Sequence, residues 1–118
     1  MRKGKMISQG AHASTKIFLD LITKLEPHNI GGYTATLHIT EQMKTWMDDN
    51  YKKITVSVDS EQELIDIYNQ ANDAGIPVCL ITDSGLTEFH GVETKTCVAI
   101  GPDNEDIINK ITGNLKLL

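Results

Sequence analysis

A chain of 118 residues, 40% hydrophobic and 23% charged, has material for one core and is expected to form a single domain over residues 1–118. This composition excludes a low-complexity or disordered chain, there is no internal repeat, and no apolar run is long enough to span a bilayer. The formal net charge of −5 argues against a uniformly phosphate-binding surface, because phosphate affinity is dominated by Lys and Arg. The charges are nevertheless segregated: Arg2, Lys3, Lys5 and Lys16 stand near the start with no acid among them, whereas Asp48, Asp49, Asp59, Glu61, Glu63, Asp66 and Asp73 crowd the middle. The basic start does not lead into a signal peptide, since Ser8, Gln9 and His12 interrupt the apolar residues that follow, and a cytoplasmic location is expected.

In chain order, residues 6–25 read as an amphipathic helix. Met6, Gly10, Ala13, Ile17 and Leu21 share a face that Ile7, Phe18 and Ile22 widen. On the opposite side Lys5, Gln9, His12 and Lys16 fall within an arc of about 60°, a polar stripe that begins at the helix N-terminus. Cations there oppose the helix dipole, which an anion would offset. Pro, Asn and paired Gly residues break the pattern from Glu26 to Gly32, and Tyr33 to Ile39 alternates as a strand or extended loop. A short helix over Glu41–Asp49 carries the aromatic anchor Trp46, and Ile54, Val56 and Val58 alternate as a strand. Ser60-Glu61-Gln62-Glu63 has capping-box spacing and opens a helix, which Gly75 and Pro77 end. Val78–Ile81 and Thr96–Ile100 are strands around a loop, and Pro102-Asp103 opens a last helix carrying Ile107, Ile108 and Ile111. Cys79 and Cys97 lie inside the apolar runs and read as buried free thiols. Alternating strands and helices imply an α/β fold, a three-layer sandwich with a small mixed sheet and helices on both faces.

Chemistry concentrates in two turns: Lys3-Gly4-Lys5-Met6-Ile7-Ser8-Gln9-Gly10-Ala11-His12 and Asp83-Ser84-Gly85-Leu86-Thr87. There is no Gly-x-Ser-x-Gly elbow, neither cysteine has a catalytic setting, and the four histidines are scattered without metal-ligand spacing. Asp83-Ser84-Gly85 read alone is equally a plain turn whose carboxylate caps its own backbone. Together with Thr96-Cys97-Val98-Ala99-Ile100-Gly101-Pro102 and Ile111-Thr112-Gly113-Asn114-Leu115-Lys116-Leu117, however, these blocks occur in the order found in the archaeal and eukaryotic type 2 peptidyl-tRNA hydrolases, which the chain resembles from Lys3 to Leu118. In Leu25–Tyr51 only Trp46 matches. Proteins of that family begin with a strand ahead of the first motif, so either the sequence starts at an internal Met of a longer gene, which is the favoured expectation, or the sheet is short by one strand, and restoring about ten upstream residues is expected to stabilise the chain by covering a strand edge.

The resemblance implies hydrolysis of the ester joining a peptidyl or aminoacyl group to the 3′ end of tRNA, with tRNA as partner, a possible homodimer, and no metal or other cofactor. It places Lys3 against the substrate phosphate or the developing oxyanion, makes Asp83 the residue that orients water or acts as general base, and gives Thr87 and Thr96 hydroxyl hydrogen bonds. Lys5 and Lys16 would bind phosphate. Gln9 would be an amide clamp or a support, and His12 would hold Asp83 or the substrate, or serve only as a helix residue at the core margin. An activated ester needs no covalent nucleophile; it needs a positioned water and stabilisation of charge on the carbonyl oxygen. Two departures stand out: Leu86 replaces a frequent basic residue, and the loop through Phe89-His90-Gly91-Val92-Glu93 is one residue longer than the common archaeal pattern, so Thr94 competes with Thr96 for its role. A noncatalytic tRNA-binding module and a small regulatory α/β interaction domain are the alternatives.

Overall fold

The computed structural model describes residues 1–86 and 88–118. Among these, four helices and six strands follow in the order α1 (Lys3–Leu19), β1 (Ile22–Pro27), β2 (Tyr33–Leu37), α2 (Glu41–Asp48), β3 (Val56–Ser57), α3 (Glu61–Asp73), β4 (Val78–Asp83), β5 (Thr94–Ile100), α4 (Glu105–Thr112) and β6 (Lys116–Leu117). The result is an α/β sandwich built on the β4–β5 pair, against which both α1 and α3 pack. The strands form three antiparallel pairs, β1–β2, β3–β6 and β4–β5. The core joins Ala13 and Ile17 of α1 to Cys79 and Ile81 of β4, with Phe18, Cys97 and Ala99 packed around them. Alternate β4 residues thus face α1, as the period of two requires.

Local signals account for most element ends. Ser60 Oγ accepts from the Glu63 N–H at 3.1 Å, and Glu63 reaches back to the Asp59 N–H at 3.2 Å, so α3 begins where the capping-box spacing puts it. Gly75 takes φ +73° after α3, the left-handed position that a glycine occupies without strain. Asn104 caps α4 through the Asp106 and Ile107 N–H groups, two residues beyond the Pro102 expected to open it. Trp46 stacks on Phe18 with ring centroids 6.0 Å apart and donates to the Lys52 carbonyl at 2.7 Å, which docks α2 on α1.

The first helix differs most from the periodicity reading. It runs from Lys3 to Leu19, not 6 to 25, and Ile22–Leu25 belong to a strand. Ile22, Lys24 and Leu25 find partners across a hairpin, with Thr23 bulged between them, and pairing with β2 outweighs a helical stripe that had nothing to cover at that end. Ile7, assigned to the apolar face, is 74% exposed. The buried line is Gln9, Ala13 and Ile17, one residue per turn, so the helix is rotated to bring a glutamine inward.

The β1–β2 hairpin projects from the body. Leu25, Ile30 and Tyr33 are exposed, and Gly31 and Gly32 turn the chain with φ +100° and +76°. It contributes to a radius of gyration of 15.8 Å, against about 13.5 Å for a compact chain of this length.

Candidate active site

Three segments converge at the N-terminal half of α1: the helix itself, the end of β4 with the loop after it, and the start of β5. Asp83 is the last residue of β4. Its Oδ1 accepts from Lys5 Nζ at 2.8 Å, and its Oδ2 accepts from the Gly85 N–H at 2.8 Å. Both side chains of the pair are about 15% exposed, so the contact is shielded from bulk solvent yet reachable. Gly85 is required twice over: its φ is +82°, and a Cβ there would sit 2.1 Å from the Val92 carbonyl oxygen. The loop folds back on itself through Gly91 N–H to Gly85 O at 2.9 Å and Val92 N–H to Phe89 O at 2.9 Å, which leaves Phe89 with its ring centroid 6.0 Å from Lys5 Nζ.

The Lys5 hydrogen bond, followed by the Gly85 N–H and the charges of Lys5 and His12, holds the Asp83 carboxyl below its usual range, while partial desolvation works in the opposite direction. A carboxylate so held is ionised at neutral pH and is a weak base. It suits the fixing of an ammonium and the orientation of water better than proton abstraction.

One turn further along α1, Gln9 is 3% exposed and its Oε1 accepts from Thr96 Oγ1 at 2.5 Å, while its backbone carbonyl accepts from Cys97 Sγ at 3.1 Å. Two consecutive residues of a regular strand point to opposite faces, yet both meet Gln9. The register explains this: Ile81 pairs with Cys97 and Thr82 with Lys95, so Thr96 is an extra residue bulged out of the ladder and turned toward the helix. Thr94 instead donates to the Val92 carbonyl at 3.0 Å, so of the two threonines it is Thr96 that meets Gln9. Hydropathy alternation carries no signal for the bulge.

The remaining sequence candidates separate from this cluster. Lys3 is exposed and, among the described residues, forms no hydrogen bond or ion pair; the amine that meets Asp83 belongs to Lys5. Lys-Gly-Lys offers two amines, and α1, which begins at Lys3, turns the Lys5 amine toward the loop. Gln9 is not on a solvated stripe with Lys5, His12 and Lys16. His12 is exposed beside a groove of about 700 Å³ shared with Thr15, Lys16 and Leu19 on α1, Asp20 just after it, and Leu80–Thr82 on β4, and its charge adds a minor lowering influence on the Asp83 carboxyl. Lys16 is paired with Asp20 one turn on at 2.9 Å, a hydrogen bond that raises its pKa. Thr87 lies outside the described residues.

The sequence reading missed Glu88. Its carboxylate accepts from Arg2 Nε at 2.6 Å and lies 3.3 and 3.4 Å from the Arg2 backbone N, at the start of α1. The anion that the helix dipole favours at this end is therefore supplied by the protein, and Arg2 holds the Glu88 carboxyl below its usual range. Cys79 and Cys97 are free thiols that donate to α1 carbonyls, and burial pushes both upward, as suits packing residues and not nucleophiles. Among the described residues no group of three or more His, Cys, Asp or Glu is placed to hold a metal ion, and no helix is long and apolar enough to cross a membrane.

Comparison with known proteins gives this geometry a context. The family model of the peptidyl-tRNA hydrolase PTH2 matches residues 1–118. A peptidyl-tRNA hydrolase of Methanocaldococcus jannaschii is 43% identical over 118 residues, covering 100% of this chain and 90% of the relative. Those of Thermococcus sibiricus and Sulfolobus acidocaldarius are 39% and 35% identical over the whole chain and 87% and 90% of their own lengths. The chain belongs to the PTH2 family of peptidyl-tRNA hydrolases.

Proposed function

We propose that this protein hydrolyses the ester between a peptidyl group and the 3′ end of tRNA, and so returns tRNA to translation in the cytoplasm. Family membership supports the reaction, and the observation that carries it to particular atoms is the shielded Lys5–Asp83 pair, 2.8 Å apart beside the Gln9–Thr96 pair. In the reaction water adds to the ester carbonyl carbon, negative charge builds on the carbonyl oxygen, and the bond to the ribose oxygen breaks with a proton passing to that oxygen. Lys5 is suited to meet the developing oxyanion as a donor whose position Asp83 has already set, so little reorganisation is needed as charge forms. Asp83, ionised and held on both oxygens, is suited to align the attacking water. Thr96 and Gln9 fix the neighbouring wall of the site from within the fold, and Thr87 belongs to the proposal on the strength of the resemblance alone. Lys3 and His12 remain as candidates for contact with the phosphates and bases of the tRNA end, since both are exposed on α1; Lys16 has the weakest claim, being committed to Asp20.

Release of an N-blocked aminoacyl group from tRNA tests the reading. The purified protein is expected to release it, and Lys5→Ala to do so about 10²–10³ times more slowly. Retention of tRNA with an intact ester would instead mark a noncatalytic tRNA-binding module, and absence of salt-sensitive tRNA affinity would mark a regulatory domain.

A further inference from the structure

We propose that Glu88 is a positioning residue for the ester hydrolysis proposed above: lent by the Asp83 loop as the cap of α1, it sets how Lys5 meets Asp83. Arg2 is the N-cap residue of α1 and provides no side-chain cap of its own. In a capping box the third helical residue would return a carboxylate to the N-cap N–H, but here that third residue is Lys5, which can only donate. Glu88 takes the vacant role from outside the helix, with its two carboxylate oxygens 3.4 and 3.3 Å from the Arg2 backbone N and a 2.6 Å contact with Arg2 Nε. The exposures show which end of the contact is anchored: the Glu88 side chain is 12% exposed and the Arg2 side chain 81%. The guanidinium therefore lies mostly in water, while the carboxylate is tucked against the helix start.

Two polar ties thus join the loop to the beginning of α1 among the described residues: Lys5 to Asp83 and Arg2 to Glu88. A loop held only by the long, freely rotating Lys5 side chain could pivot about Asp83. A second tie that ends on helix backbone removes that pivot without relying on another flexible chain. The consequence falls on Lys5, because it shares with Glu88 a groove of about 480 Å³ lined also by Arg2, Gly4 and Ser8. Any slip of the loop along α1 changes the direction in which the ammonium points.

The test uses the intact chain, the N-blocked aminoacyl-tRNA release assay and NMR titration of the Asp83 carboxyl, whose charged neighbours from α1 are Lys5 and His12. Glu88→Ala is expected to lower kcat about 10-fold with KM within about 2-fold, and to move the Asp83 titration upward toward its ordinary range as the Lys5 contact loosens. Glu88→Gln keeps an oxygen that can accept from the Arg2 N–H and is expected to restore kcat to within about 3-fold and to return the titration toward its starting position. A role confined to folding would lower the melting temperature of Glu88→Ala while leaving kcat and the Asp83 titration unmoved, and that result overturns the proposal. So does a Glu88→Gln protein as slow as Glu88→Ala or, if the alanine variant does not fold, a folded Glu88→Gln protein slowed 10-fold or more. The wild-type release rate tests the proposed reaction on its own, and the Asp83 titration tests the clasp with no substrate present.

Discussion

The two longer antiparallel ladders, β1–β2 and β4–β5, are built alike and used differently. Their strands are of similar length, five to seven residues, and each ladder contains one bulged threonine, Thr23 in the first and Thr96 in the second. Thr23 turns back on its own hairpin and donates to the Thr36 carbonyl at 3.2 Å, whereas Thr96 reaches across to Gln9. The difference lies in what covers each ladder. Helices α1 and α3 lie against β4–β5, so a residue expelled from that ladder meets a helix side chain; the exposed hairpin offers only its own backbone. A bulge becomes part of a site where another element stands within reach of it.

The sharpest way to break this comparison is to remove the charge pair that the covered ladder presents. Lys5→Ala carries the largest expected loss, and Asp83→Asn, which keeps the shape but not the charge, is expected to lower kcat about 10²-fold in the same release assay. Wild-type turnover in Asp83→Asn would remove the carboxylate from the chemistry. Next comes Gly85→Ala, in which a methyl group would have to share space with the Val92 carbonyl at positive φ; displacement of the loop by about 1 Å is expected to cost at least 10-fold in kcat.

Thr96→Val probes the bulge directly. It leaves the Gln9 amide oxygen buried without its donor and is expected to destabilise the fold by about 1–3 kcal/mol, read as a lowered urea midpoint at unchanged slope. The matching change in the hairpin, Thr23→Val, removes an exposed hydrogen bond and is expected to stay within about 0.5 kcal/mol. Equal effects at the two threonines would erase the distinction drawn here.

Acid should distinguish the regions too. The folded-state pKa values of Asp83 and Glu88 are depressed below the ordinary 3.8 and 4.5, so the folded state binds these protons less readily than the unfolded chain. Their contribution is therefore complete above the ordinary values and is lost as pH falls through the lower, folded ones. Stability measured by urea unfolding is expected to hold from neutral pH to about pH 5 and to decline below pH 4.5. In an Asp83→Asn, Glu88→Gln protein that part of the acid decline should be absent. The smallest effect is expected for the hairpin itself: replacing residues 23–36 by a short Gly-Ser turn should leave the release rate within about 2-fold, since the described hydrogen bonds of Asp83 come from Lys5 and Gly85, outside this ladder.

Much of this was legible in the chain, but unevenly. The α3 cap at Ser60, its stop at Gly75, the helix around Trp46 and the strands on either side of the Asp83 loop follow from backbone rules acting over a few residues. Asp83 and Gly85 stood out for the same reason, as a turn whose φ and carboxylate geometry are local. The end of α1 was not legible, because the residues from Ile22 to Leu25 satisfy a helical stripe and a hairpin strand equally well until β2 is present to pair. Nor was the inward turn of Gln9, since polarity alone places a glutamine outside and only the bulged Thr96 makes its burial tolerable.

By itself, then, the order of residues determined the α/β class, the two signature turns and the family, all of which rest on contacts between near neighbours or on resemblance. Tertiary structure alone decided that Lys5 and not Lys3 meets Asp83, that Thr96 and not Thr94 meets Gln9, and that Glu88 closes the start of α1. Each of these choices is made between residues of the same type, or by residues more than eighty positions apart or nearly so, and such a choice is settled by where the helix and the ladder come to rest against each other.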